Sequence, residues 1–84
     1  MSEFWPDGET IRVEVTENGT PQAFTWQGQR HEVAQIANAW RIDESWWATH
    51  IWRDYFKLLT RGGLLVEVYH DLTGDSWRLQ RLYD

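Results

Sequence analysis

At 84 residues the chain has room for one domain around one core, and a chain this short buries only about 60 to 65 % of its unfolded surface. It has no cysteine, which removes disulfide frameworks, thiolate zinc sites and cysteine nucleophiles and fits a reducing compartment. A net charge of −5 argues against whole-surface binding of nucleic acid, which needs Lys and Arg to neutralise phosphates, and leaves open only a local basic patch.

Residues 1–8 are predicted to be an N-terminal tail and residues 9–84 a single β domain. The tail carries Phe4-Trp5-Pro6, which reads either as a flap over the end of the domain or as a short peptide motif. Met1 to Pro6 lack the basic and apolar regions of a leader, and no later stretch is apolar enough to span a bilayer. A cytoplasmic protein without a membrane partner is therefore expected.

Strict alternation of apolar and polar residues in Thr10 to Thr16 predicts a half-buried strand with Ile11, Val13 and Val15 facing in. Asn18-Gly19 then signals a two-residue hairpin loop of type I′. With that loop Val13 lies opposite Phe24 and Ile11 opposite Trp26, so the apolar faces coincide. Trp26-Gln27-Gly28-Gln29 offers a second turn, after which Arg30 to Trp40 is expected to run back as a bent or bulged strand. Val33, Ile36, Ala37 and Trp40 also fit the spacing of an amphipathic helix, so a short helix stays open.

Asp43-Glu44-Ser45 reads as a loop before Trp46 and Trp47. His50 to Thr60 is expected as a strand covered on both faces, followed by a turn at Arg61-Gly62-Gly63, a strand to His70, a turn at Leu72-Thr73-Gly74-Asp75 and a last strand from Trp77 to Tyr83. These elements predict an all-β fold: a five- to six-stranded antiparallel meander forming a small barrel or a strongly bent sheet.

No catalytic constellation emerges, and the chain is not expected to be an enzyme. Ser2, Ser45 and Ser76 fall in the tail or in turns, away from any strand-turn-helix elbow. His31, His50 and His70 lack metal-ligand spacing, so neither a metal nor a cofactor is expected. Asp43 with Glu44, or Asp54 near Asp71 or Glu67, would be the only carboxylate pairs for hydrolysis, and solvated loop charges explain them better.

The feature that calls for explanation is aromatic: seven Trp, three Tyr and three Phe exceed what the inside of so small a barrel accepts. Trp26 and Trp77 are expected in the core, and some of the remaining rings on the surface. Exposed Trp beside Arg is the composition of protein-interface hot spots, which nominates Arg41, Trp46 and Trp47 as a partner-binding site. The rival from another class is a small β-barrel that stacks single-stranded nucleic acid on Trp52, Arg53, Tyr55 and Lys57.

From about Pro21 onward, four stretches carry a resemblance: Phe24-Thr25-Trp26-Gln27-Gly28, Trp40 to Trp47, Arg53-Asp54-Tyr55-Phe56-Lys57 and Gly74 to Asp84. In order and spacing the chain resembles a bacterial family of small domains of unassigned function, found alone and at the C-terminus of ImuB-type proteins, the inactive relatives of Y-family DNA polymerases. The resemblance implies a noncatalytic adaptor that recruits another protein in DNA-damage tolerance, and strands over His31 to Trp40 and His50 to Thr60. It says nothing of oligomeric state.

Overall fold

A computed structural model describes residues 3–83, with the side chain of Trp46 outside the description. Six antiparallel strands are described: β1 Glu3–Val15, β2 Pro21–Trp26, β3 Gln29–Trp46, β4 Thr49–Thr60, β5 Leu65–Asp71 and β6 Ser76–Tyr83. Each pairs with the next in sequence, and β1 pairs with β6, so the sheet closes into a ring. The all-β meander is as the sequence predicts, and no described residue is helical.

Closure depends on β1 serving two neighbours. Its first part lies against β6 (Glu3 opposite Leu82, Ile11 opposite Trp77), and its last part lies against β2 (Arg12 opposite Thr25, Val13 opposite Phe24). Of the stretch predicted as a tail, residues 3–8 belong to β1, and Trp5 packs on the core and meets Trp26 edge-on at 5.9 Å; residues 1 and 2 lie outside the described residues. Phe4 remains exposed.

The first hairpin keeps the expected Val13–Phe24 register by a different route. Thr16 donates its amide to the Thr20 carbonyl, so the loop holds three residues, Glu17 to Gly19, and only Gly19 takes positive φ. A register shift between Glu14 and Val15 absorbs the extra residue and turns Val15 outward, 43 % exposed, against the inward position expected for it. The type I′ geometry falls instead at Gln27 and Gly28, both at positive φ between the paired Trp26 and Gln29.

β3 is one long strand with irregularities at Val33/Gln35 and Ile36/Asn38, the bulged form of the 31–40 segment and not its helical alternative. Asp43, Glu44 and Ser45 are strand residues too, since the turn comes later, at Trp47 and Ala48. The loop reading failed because three consecutive polar residues alternate faces on an arm that is wet on both sides.

The core holds Ile11, Phe24, Leu58, Val66, Val68 and Leu79, all essentially enclosed, with Trp5, Trp26, Phe56 and Trp77 half-buried around them. Burying such side chains at about 25 cal/mol per Å² is the main stabilising term. A second cluster lies on the opposite face of the sheet, where Tyr55 and Tyr69 are buried and Tyr69 donates its hydroxyl to the Asp7 carbonyl at 3.1 Å. That contact is possible because β1 approaches closely at Gly8, where an added Cβ would stand 2.7 Å from the Arg78 Cβ and 3.0 Å from the Tyr69 hydroxyl.

Gly8 and Gly28 share nearly the same left-handed backbone, φ 73° and 76°, but a Cβ on Gly28 meets only open space. Gly28→Ala therefore isolates the backbone cost, about 1 to 2 kcal/mol, while Gly8→Ala adds overpacking of about 1 to 3 kcal/mol. Urea unfolding of the two variants is expected to place Gly8→Ala clearly below Gly28→Ala, and equal midpoints would refute the close approach.

Candidate functional site on the β3–β4 arm

β3 and β4 outrun their neighbours. β2 leaves β3 at Glu32 and β5 begins on β4 at Arg53, so among the described residues the four pairs from Asp43–Trp52 to Trp46–Thr49 touch no third strand. At about 3.4 Å per residue this two-stranded arm projects roughly 10 to 13 Å beyond the ring. A bare hairpin of this kind is marginal alone, so its side chains have to brace it.

Alternation divides the arm into two faces. On the face that continues the core, Arg41 grips Asp54 through two hydrogen bonds, Nε to Oδ1 at 2.6 Å and Nη2 to Oδ2 at 3.1 Å. The bond to Asp54 holds the guanidinium above its ordinary pKa. Its Cζ lies 5.9 Å from the Trp52 ring, Trp52 stacks on His50, and His50 Nε2 meets Asp43 Oδ1 at 2.6 Å. Trp52 keeps 36 % of its surface exposed.

The other face starts at the arm's base with Trp40 stacked on Tyr55, centroids 5.3 Å apart and planes 6° from parallel. Arg53 lies over Tyr69 at 4.5 Å and donates to the Tyr55 hydroxyl at 3.1 Å. Further along the sheet Lys57 covers Tyr83 at 4.6 Å, and Arg81 sits 4.9 Å from Phe4. Register places Arg53, Lys57, Arg78 and Arg81 on this one face, half of the eight cations in an acidic chain.

At the tip stands Trp47, 87 % exposed and at φ 56°, a conformation unfavourable for a bulky side chain. Of the residues nominated for partner binding, Arg41 stands at the base of the arm and Trp47 at its tip, about 20 Å apart along the strand, and the side chain of Trp46 lies outside the described residues. Of those nominated for nucleic acid, Arg53, Tyr55 and Lys57 share a face, whereas Trp52 is on the opposite one. Tyr55 is buried under Trp40 and offers no free stacking surface.

Sequence reasoning missed that Arg41 meets Trp52 and Asp54, and that Ile51 is exposed on the opposite face of the arm. Placing the turn at Trp47-Ala48 makes Arg41 face Asp54 by counting alone, so the signal was present but hidden by the loop assigned to residues 43–45. Asp54 opposes His70 and lies on the other face from Asp71 and Glu67, which separates that carboxylate pair. The histidines are scattered: His31 stacks on Phe24, and His70 on Trp77 with Asp75 at its Nε2. Among the described residues no three His, Cys, Asp or Glu gather as metal ligands, and no helix is long and apolar enough to cross a membrane.

Residues 5–84 match the family model of a domain of unknown function, DUF6504. The chain belongs to that family. No curated protein and no solved structure matches it. The family match covers β1 from Trp5 together with all later strands, so the DUF6504 unit includes the closing strand of the ring.

In this DUF6504 domain, burial pushes the Tyr69 phenol above its ordinary pKa, and burial followed by the nearby Glu67 does the same for Tyr83. The unfolded chain loses these protons near pH 10, earlier than the folded one. Stability present below about pH 10 is thus lost as pH rises through the raised folded values. Tyrosinate absorbance is expected to appear later in the folded protein than in denaturant, with the lag reduced in Tyr69→Phe. Coincident titrations would refute the burial argument.

Proposed function

We propose that this domain is a noncatalytic adaptor that recruits another protein through the β3–β4 arm, working in bacterial DNA-damage tolerance. The observation that carries the reading is the arm itself: a braced projection that presents Trp47, Ile51 and Trp52 to solvent with Arg41 beside Trp52. Large apolar surface beside arginine is the chemistry of binding hot spots, where one buried indole contributes several-fold more than its neighbours. The setting rests on the similarity of Trp40 to Trp47 and of the final strand to domains that end ImuB-type proteins. A cytoplasmic location follows from that setting.

Trp47 and Trp52 are far from the enclosed core, so Trp47→Ala and Trp52→Ala are expected to keep the melting temperature within about 3 °C, the range of a surface change in a small domain. Affinity capture from the source organism, with wild type beside both variants, is expected to retain damage-tolerance proteins on wild type alone. Capture that is indifferent to both substitutions would sink the reading.

A second reading has its own observation. Arg53, Lys57, Arg78 and Arg81 share one face, the composition of a groove that tracks a phosphate backbone. Against it, Arg53, Lys57 and Arg81 already cover Tyr69, Tyr83 and Phe4. Titrating labelled single-stranded DNA at two salt concentrations decides: affinity that falls steeply with salt and weakens in Lys57→Ala favours nucleic acid, and absence of binding removes it.

A further inference from the structure

We infer that the outer edge of β3 is an interface for a second copy of this chain, the two β3 strands pairing antiparallel about a two-fold axis at Ile42. Beyond Glu32 that edge meets no other strand among the described residues, and beyond Asn38 it is free of bulges. Ala39 to Trp46 thus form a regular open edge, a ready template for another strand.

Backbone hydrogen bonding fixes which residues offer their amides. The Trp52 carbonyl accepts from the Leu72 amide at 2.9 Å, so Trp52 points its backbone groups away from β3. In an antiparallel ladder directly opposed residues either both face each other with these groups or both face away. Asp43, opposite Trp52, therefore turns its N–H and C=O to the open edge, and alternation adds Arg41, Ser45 and Ala39, of which Ala39 already donates its N–H to Asn38 Oδ1 at 2.9 Å and offers its C=O.

Only pairings that oppose these odd-numbered residues make hydrogen bonds, and charge chooses among them. Centring the axis on Ile42 sets Arg41 against the partner's Asp43 and Asp43 against the partner's Arg41, with Ala39 against the partner's Ser45. Sliding one step toward the core opposes Arg41 to the partner's Arg41, and sliding one step toward the tip opposes Asp43 to the partner's Asp43. Opposite charges on facing strand residues attract and like charges repel, so one register is self-complementary and its two neighbours are penalised. The two arms then merge into one continuous sheet across both rings.

The recruitment reading is independent of this inference, since a monomer that still captures its target would overturn the pairing alone. Sedimentation equilibrium of the full chain over a concentration series is expected to show a monomer–dimer equilibrium. Arg41→Asp and Asp43→Arg each place like charges in both facing pairs and are expected to raise the dissociation constant at least about tenfold. Mixed in equal amounts, the two variants pair Arg with Asp at both positions, and association is expected to return. Ser45→Pro, which removes an outward amide and spares the β3–β4 bonds, is expected to weaken dimers while circular dichroism shows the fold intact. A wild type that stays monomeric throughout, a mixture no tighter than its components, or a folded Ser45→Pro as tight as wild type would each overturn the proposal.

Discussion

Two strands of a closed sheet are longer than the sheet can cover. β3 has 18 residues and β4 has 12, while β2 has 6 and β5 has 7. A ring buries only as much of a strand as its neighbours span, so the excess leaves the ring as a paired arm. Both faces of that arm are wet, neither of its edges meets a third strand among the described residues, and its tip carries an indole. The candidate contact, the split of the nominated residues between two faces and the open edge all follow from this mismatch of lengths.

The same mismatch explains where the aromatic mass went. The largest fully enclosed side chains are Tyr69, Phe24, Leu58, Leu79, Val66 and Val68, and none is a tryptophan. Trp5, Trp26, Trp40 and Trp77 sit half-buried at the margins, each against another ring: Trp5 on Trp26, Trp40 on Tyr55, Trp77 on His70. Ring contacts of this kind contribute about 0.5 to 1.5 kcal/mol beyond area burial. Trp47 and Trp52 lie beyond the ring's reach and stay exposed. The surplus of indole inferred from composition is thus real, and geometry decides which indoles are surplus.

Much of the fold was legible because strand periodicity and turn chemistry are local signals. The Val13–Phe24 pairing was recovered even though the loop was taken as two residues, since the shift at Glu14/Val15 restores the register. What periodicity did not carry was non-local. Nothing in Phe4-Trp5-Pro6 announces a strand that pairs with Leu82 and Arg81 some 77 residues away. The site was half legible for a related reason: Arg41 and Trp47 were picked by composition, but their neighbours depend on where the arm turns. Trp47 at positive φ is a turn residue no propensity would choose, and placing the turn earlier hid the Arg41–Asp54 pairing.

The seam between β1 and β6 brings the first and the last strand of the ring side by side. Glu3 faces Leu82 across an antiparallel pair, which holds the two Cα atoms about 5 Å apart. A fold whose entrance and exit are side by side can be spliced into a surface loop of a host, which then needs to widen that loop hardly at all. Attached in this way, the arm would stand clear of the host as a graft held at its base by two adjacent stems.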